Sequence, residues 1–204
     1  MSHTIAGVPI AFTDTRREWQ RIWQKFDPAT VTLPKGWERE PGYRPLPVDT
    51  VWHRDSAITL RDGVKIYADV FRPKDLEGTT VPAIISWGPF GKTDKGFANT
   101  VNLEVGIPRN SLSGLESFEG LDPAEWCQRG YAIVNIDVRG SYSSEGDLFV
   151  HGKQEGEDSA DAVEWIAQQS WSNGSVGMAG NSWLAVIQWF TAAQKPPHLK
   201  AIAP

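Results

Sequence analysis

Apolar residues in this chain run in short blocks, separated by turns that carry Gly, Asp or Pro. Residues 51–60 (VWHRDSAITL) and 64–73 (VKIYADVFRP) are rich in β-branched and aromatic side chains, and Arg61-Asp62-Gly63 joins them. An Asp-Gly corner between two such runs predicts a β-hairpin. Residues 81–87 (VPAIISW) and 131–137 (YAIVNID) are continuous apolar runs, the pattern of strands buried on both faces. Asp122-Pro123 ahead of AEWCQR predicts a helix with Asp122 as N-cap and proline in the first turn, ending at Gly130. Residues 155–169 (EGEDSADAVEWIAQQ) predict a second helix with Ala162, Val163 and Ile166 inward and acids in the first turns, where the helix dipole favours them. A short strand at 176–179, a helix after Ser182, a Lys195-Pro196-Pro197 stop and a last strand, LKAIA, follow. Strands alternating with helices after an opening hairpin predict a mostly parallel sheet of the α/β class.

The pattern is less regular elsewhere. Residues 14–26 place Trp19, Ile22, Trp23 and Phe26 on one face at helical spacing, with Thr13 or Asp14 as a cap; the helix packs on its own domain or binds a partner. Residues 27–49 hold Pro28, Pro34, Pro41, Pro45 and Pro47 and read as an irregular wrap or linker. Residues 1–50 are therefore taken as an appendage to a domain over 51–204. Residues 93–120 read as a long loop with room for one short helix.

The stretch with the clearest chemistry is residues 175–185, SVGMAGNSWLA. A serine at a sharp strand-to-helix turn has its hydroxyl pushed out above the sheet edge. The position two before it must be small, and Gly180 meets that need. The following helix points its first N–H groups towards the serine, where they stabilise negative charge on a bound carbonyl oxygen. Leu184 stands where the short G-x-S-x-G motif has its second glycine, and the small residue comes one later, at Ala185. The structural alternative is a buried strand-turn-helix in which Ser182 merely caps the helix.

Composition narrows the picture. The chain has 204 residues, ten tryptophans and a net charge of −5 with no basic run, so nucleic acid is not an expected partner. No apolar stretch approaches the ~20 residues that span a bilayer, and no basic segment followed by a long apolar one opens the chain. The expectation is a cytoplasmic protein without a membrane partner. Cys127, the single cysteine, lies on the helix expected after Asp122 and reads as a packed small hydrophobe. No ligand-spaced His/Cys cluster and no Gly-rich phosphate loop is present, so no metal and no organic cofactor is expected.

Four pieces together resemble the N-terminal part of the α/β-hydrolase domain of the CocE/NonD hydrolases, the cocaine esterase-like and X-Pro dipeptidyl-peptidase-like (S15-type) family. They are RDGVKIYADVFRP, GPFGK after the third strand, DVRGSYSSEGDL after the fourth, and the run from Asp161 to LKAIAP. The resemblance implies an α/β-hydrolase fold, truncated after the strand that follows the elbow helix. It implies Ser182 as nucleophile, acyl-enzyme chemistry and small ester, amide or peptide substrates. It also implies that the triad Asp and His lie on loops beyond residue 204, so the chain reads as a fragment of a larger hydrolase. As an isolated piece it is expected to be poorly soluble or oligomeric, with the edge of the last strand unpaired, and at least ~10³-fold less active than its longer parent. In relatives one oxyanion donor is the backbone N–H after the nucleophile, here Trp183, and the other is commonly a tyrosine hydroxyl. Phe90 stands at that position without one, as a pocket wall or beside a backbone donor that compensates.

His3, His53 and His198 are poorly placed for a base. His151 follows the SSEGDLFV loop and reads as a solvated loop histidine rather than a triad member. Asp137 and Arg139 end a sheet strand on the side where ligands bind in open α/β folds. The preferred role for Arg139 is structural, pairing with Asp137 or Glu145 to pin the loop beneath the elbow. The residues and the resemblance point to a serine hydrolase, of peptidase, esterase or amidase type. The alternatives are an acyltransferase of the same fold and a catalytically inactive fragment or pseudoenzyme.

Overall fold

The computed structural model describes residues 3–5, 8–10, 26–74, 78–92 and 108–204. Apart from Phe26, the helix expected over 14–26 lies outside these residues, as does the 93–107 part of the long loop. Two short strands, β1 (His3–Ile5) and β2 (Val8–Ile10), pair antiparallel with each other. The main sheet has seven strands: β3 (Ala29–Leu33), β4 (Thr50–Thr59), β5 (Lys65–Pro73), β6 (Val81–Gly88), β7 (Ala132–Asp137), β8 (Ser172–Ala179) and β9 (Leu199–Ala203). Among the described residues, three α-helices connect its later strands: α1 (Pro123–Cys127), α2 (Lys153–Ala167) and α3 (Trp183–Gln194).

The strand order is β3-β4-β5-β7-β6-β8-β9. β4 and β5 form the expected hairpin, with Thr59 opposite Lys65 and Thr50 opposite Pro73. β7-β6, β6-β8 and β8-β9 are parallel, whereas β3-β4, β4-β5 and β5-β7 are antiparallel. The sheet is therefore half antiparallel rather than mostly parallel. One reason is β3, a strand inside the proline-rich stretch: Ala29 to Leu33 fit between Pro28 and Pro34, which bound the strand without interrupting its ladder. The remainder of 27–49 also contributes Leu46 to a buried cluster with Leu33, Trp52 and Phe71.

Alternation along the strands splits the interior in two. Ile66, Ala68 and Val70 of β5, Ala83, Ile85 and Trp87 of β6, Ala132, Val134 and Ile136 of β7, and Val176 and Met178 of β8 pack with Ala162, Val163 and Ile166 of α2 and Ile187 of α3. Full burial of each large side chain here contributes about 1.5–3 kcal/mol. The opposite side holds Phe71, Leu115, Ala124 and Cys127, with α1 over it. Asp122 caps α1 by accepting the Ala124 N–H at 2.9 Å, and burial pushes the Cys127 thiol pKa up, as befits a packed, unreactive cysteine. Asn135 and Ser86 tie the 115–121 segment to the sheet, Asn135 Nδ2 donating to the Leu115 carbonyl and Ser86 Oγ accepting the Leu121 N–H.

After β6 the chain steps back to β7, beside β5, and then crosses over to β8 on the other side of β6. The crevice at such a reversal, outside the carboxyl ends of β6 and β8, is where open α/β sheets bind ligands. The loop Gly88-Pro89-Phe90-Gly91 and the turn at Ser182 both leave the sheet there. Among the described residues, no helix is long and apolar enough to cross a membrane.

Candidate active site

β8 ends at Ala179 and α3 begins at Trp183, so three residues make the whole reversal. Ser182 stands at φ 53°, ψ −118°, a conformation that L-residues rarely hold, and its side chain is exposed. Strain of this kind collects where a side chain must be presented to a ligand. Gly180 makes the turn feasible. Its φ is +141°, and a Cβ there would meet Leu184 Cβ and Cδ2 at 2.6 Å and the Glu119 carbonyl oxygen at 3.2 Å. Leu184, at the place of the motif's second glycine, is buried, and a Cβ on Gly88 would meet its Cδ1 at 2.9 Å. Two glycines, Gly88 at the end of β6 and Gly180 just after β8, thus make room for the side chain that departs from the short motif.

Trp183 opens α3, so its backbone N–H has no preceding turn of helix to accept it and faces the crevice end of the helix. The Phe90 ring packs edge-on against Trp183, with centroids 6.3 Å apart, and against Phe118 at 5.3 Å. The backbone of the Phe90 loop is held separately: Tyr142 Oη donates to the Phe90 carbonyl at 2.6 Å.

Beneath Trp183 lies Glu155, from the first turn of α2. Its Oε1 accepts the indole N–H of Trp183 at 2.7 Å and that of Trp87 at 3.0 Å, while Oε2 accepts the His151 amide at 2.8 Å. Burial raises the Glu155 pKa, and these three donors oppose the rise. The acids at the start of α2 therefore do more than match the helix dipole. Glu155 and Asp158 are both buried and bonded to other elements.

Arg139 is structural as expected, with different partners. Its Nε and Nη2 donate to Asp158 at 2.7 and 2.8 Å, and Nη2 also lies 2.8 Å from Asp62 Oδ2. Asp158 first, then Asp62, lifts the guanidinium pKa further. Glu145 instead accepts the Lys65 N–H at 3.0 Å, and Asp137 faces Lys92. The reason is geometric: Asp137 ends β7 on the side of the sheet that also carries Asp69, away from α2.

Lys92 Nζ lies 2.7 Å from Asp55 Oδ1 and 3.4 Å from Asp137 Oδ2. Asp69 joins them, its carboxylate accepting the Trp52 indole N–H at 3.0 Å and the Asp55 amide at 2.9 Å. Burial pushes Asp69 up to about 6 and Asp137 up to about 7, against the pull of Lys92. Burial pulls the Lys92 ammonium down, yet Asp137, Asp69 and Asp55 together carry it above the usual lysine range.

His151 is not a solvated loop residue. It sits at φ +48° with its ring 4.3 Å from the Trp183 ring and its Nδ1 3.7 Å from Glu155 Oε2. His198 lies just before β9, with its Nδ1 2.7 Å from Glu164 Oε2, at the opposite end of α3 from Ser182. His53 lies on β4 between Thr30 and Arg72; burial, then the Arg72 charge, lowers its pKa. His3 lies on β1. Among the described residues, no group of His, Cys, Asp and Glu side chains could hold a metal ion.

The sequence pattern indicated the turn at Ser182 and Trp183, and the family resemblance indicated the Phe90 loop. The pattern did not indicate Glu155, Tyr142 or the Lys92 cluster. Only the two tryptophans at strand and helix ends, Trp87 and Trp183, hinted that a buried acceptor for indole N–H groups had to exist.

A model of the X-Pro dipeptidyl-peptidase (S15 family) matches residues 62–204. The chain is 35% identical over 147 residues to the cocaine esterase of Rhodococcus sp. (strain MB1 Bresler), covering 72% of this chain and 22% of the esterase. It is similar to the crystal structure of a CocE/NonD family hydrolase from Staphylococcus aureus, with a TM-score of 0.73 and 32% identity over 87% of this chain and 30% of that one. For the structure of an α-amino acid ester hydrolase the TM-score is 0.57 at 26% identity, over 76% of this chain and 25% of that one. The chain spans less than a third of the length of each of these relatives. With a family match over residues 62–204, which include both the Phe90 loop and the Ser182 turn, this chain belongs to the X-Pro dipeptidyl-peptidase (S15) family, among the CocE/NonD-type hydrolases.

Proposed function

We propose that the protein is a serine hydrolase that cleaves ester or amide acyl bonds through an acyl-enzyme on Ser182. The observation that carries this reading is the backbone of Ser182, held at φ 53° and exposed at the strand-to-helix turn beside the sheet's switch point. A serine that merely capped α3 would hydrogen-bond the first helical N–H groups through its side chain, and Ser182 makes no such bond. In the proposed reaction Ser182 Oγ attacks the acyl carbonyl carbon and a general base takes its proton. The alcohol or amine leaves with a proton as the carbonyl reforms, and water then releases the acid by the same steps. The Trp183 N–H and a backbone N–H of the Phe90 loop stabilise the oxyanion. The test is to offer the whole protein a p-nitrophenyl ester and an X-Pro p-nitroanilide. Release of p-nitrophenol or p-nitroaniline supports the reading and separates esterase from peptidase. A folded protein that hydrolyses neither contradicts it.

Phe90 favours a second reading, a slow or inactive member of the family, because it brings no hydroxyl to the oxyanion. Losing one such donor typically costs about 2.7–4 kcal/mol in the transition state. On this second reading Phe90→Tyr raises kcat by up to about 10²-fold with little change in KM, since the donor acts mainly in the transition state. An unchanged kcat in a folded variant would mean that a backbone donor already fills the place.

A further inference from the structure

In the loop that leaves β6 at Gly88, Lys92 turns inward. The Lys92 side chain is 11% exposed, and the two carboxylates it meets, Asp55 and Asp137, are 4% and 1% exposed. They come from separate strands. Asp137 is the last residue of β7, and Asp55 sits at φ +48° in the irregularity that shifts the β4 register between His53 and Ser56. That bulge breaks the ladder and strains a non-glycine residue, and in return its carboxylate lies 2.7 Å from Lys92 Nζ. Asp69 of β5 braces Asp55 by accepting its amide, and Asp55 Oδ2 accepts the Asp27 amide at 2.7 Å.

Stability alone does not account for such an arrangement. Buried ion pairs are commonly no better for stability than well-packed apolar side chains, and here three carboxylates share one cation. What the cluster supplies is position. The Phe90 loop is fixed at its start by β6, at the Phe90 carbonyl by Tyr142, and two residues after Phe90 by Lys92. We infer that Lys92, clamped between Asp55 and Asp137, is a positioning residue that holds the Phe90 loop at the distance from Trp183 that an oxyanion requires. The inference rests on the hydrolase reading above.

The test uses the whole protein, a p-nitrophenyl ester and an aryl boronic acid, which forms a negatively charged tetrahedral adduct with an active serine. Lys92→Met alone strands three buried carboxylates, so it is paired with Asp137→Asn; Asp55→Asn, which keeps the shape of the side chain, is the gentler variant. In Lys92→Met/Asp137→Asn, kcat is expected to fall about 10²-fold with KM little changed, as a small misplacement near the reacting atoms does. Boronate affinity should fall by the same factor. Asp55→Asn should show a smaller loss of the same kind. Wild-type kcat and boronate affinity in a folded double variant would overturn the clamp; if the double variant does not fold, the same result in Asp55→Asn overturns it. A rise in KM at unchanged kcat would also overturn it. A wild type inert to both ester and boronate would overturn the hydrolase reading, and the clamp with it.

Discussion

Ser182→Ala is expected to leave the protein folded and to lower ester turnover by at least ~10⁴-fold, because nucleophile and base act as a unit and neither works alone. The fold should survive for local reasons. Ser182 is exposed, makes no side-chain cap to α3, and its Cβ, already tolerated at φ 53°, is kept by alanine. The loss should appear in kcat, with thermal unfolding unchanged within experimental scatter. Near wild-type turnover in this variant would mean that another residue attacks the substrate.

Gly180→Val should fail in the opposite manner, by damaging the fold at the turn. The added Cβ alone would lie 2.6 Å from both Leu184 Cβ and Leu184 Cδ2, and Leu184 is already confined by Gly88. Overpacking a filled interior costs about 1–3 kcal/mol. Holding a β-branched residue at φ +141° adds about 1–3 kcal/mol of backbone strain. Together these lower Tm on the order of 10 °C for a domain of this size. Either Leu184 is expelled or the turn opens, so Ser182 loses its presentation and turnover is lost with stability. The measurement is thermal unfolding followed by circular dichroism, alongside ester turnover. A variant with wild-type Tm would show that β8 and α3 do not approach as closely as the Gly180 geometry requires.

Much of the fold was legible because it depends on local pattern. The apolar runs at 81–87 and 131–137 became β6 and β7, Asp122 capped α1, and the Asp62-Gly63 corner closed the β4-β5 hairpin. The turn at Ser182 was legible for the same reason: the strand, the small residue and the helix lie within a dozen positions. β3 was hidden because prolines dominate its surroundings, although they bound the strand rather than break it. The polar supports of the site were hidden for a different reason. Lys92 meets partners from β4 and β7, and Glu155 joins Trp87 to Trp183 across two chain connections. No periodicity encodes such pairings. Arg139 shows the limit clearly: its charge predicted acidic partners, but the three-dimensional fold made them Asp158 and Asp62, with Asp137 turned to the other face of the sheet.

Activation of the Ser182 hydroxyl as a nucleophile is tested most directly by the site of a covalent adduct. The whole protein would be treated with a fluorophosphonate, digested, and the modified peptide sequenced by mass spectrometry, with Ser182→Ala treated in parallel. The expected result is a single adduct on Ser182 in the wild type and none in the variant. An adduct on any other residue, or an ester-hydrolysing protein that leaves Ser182 unmodified, would contradict it.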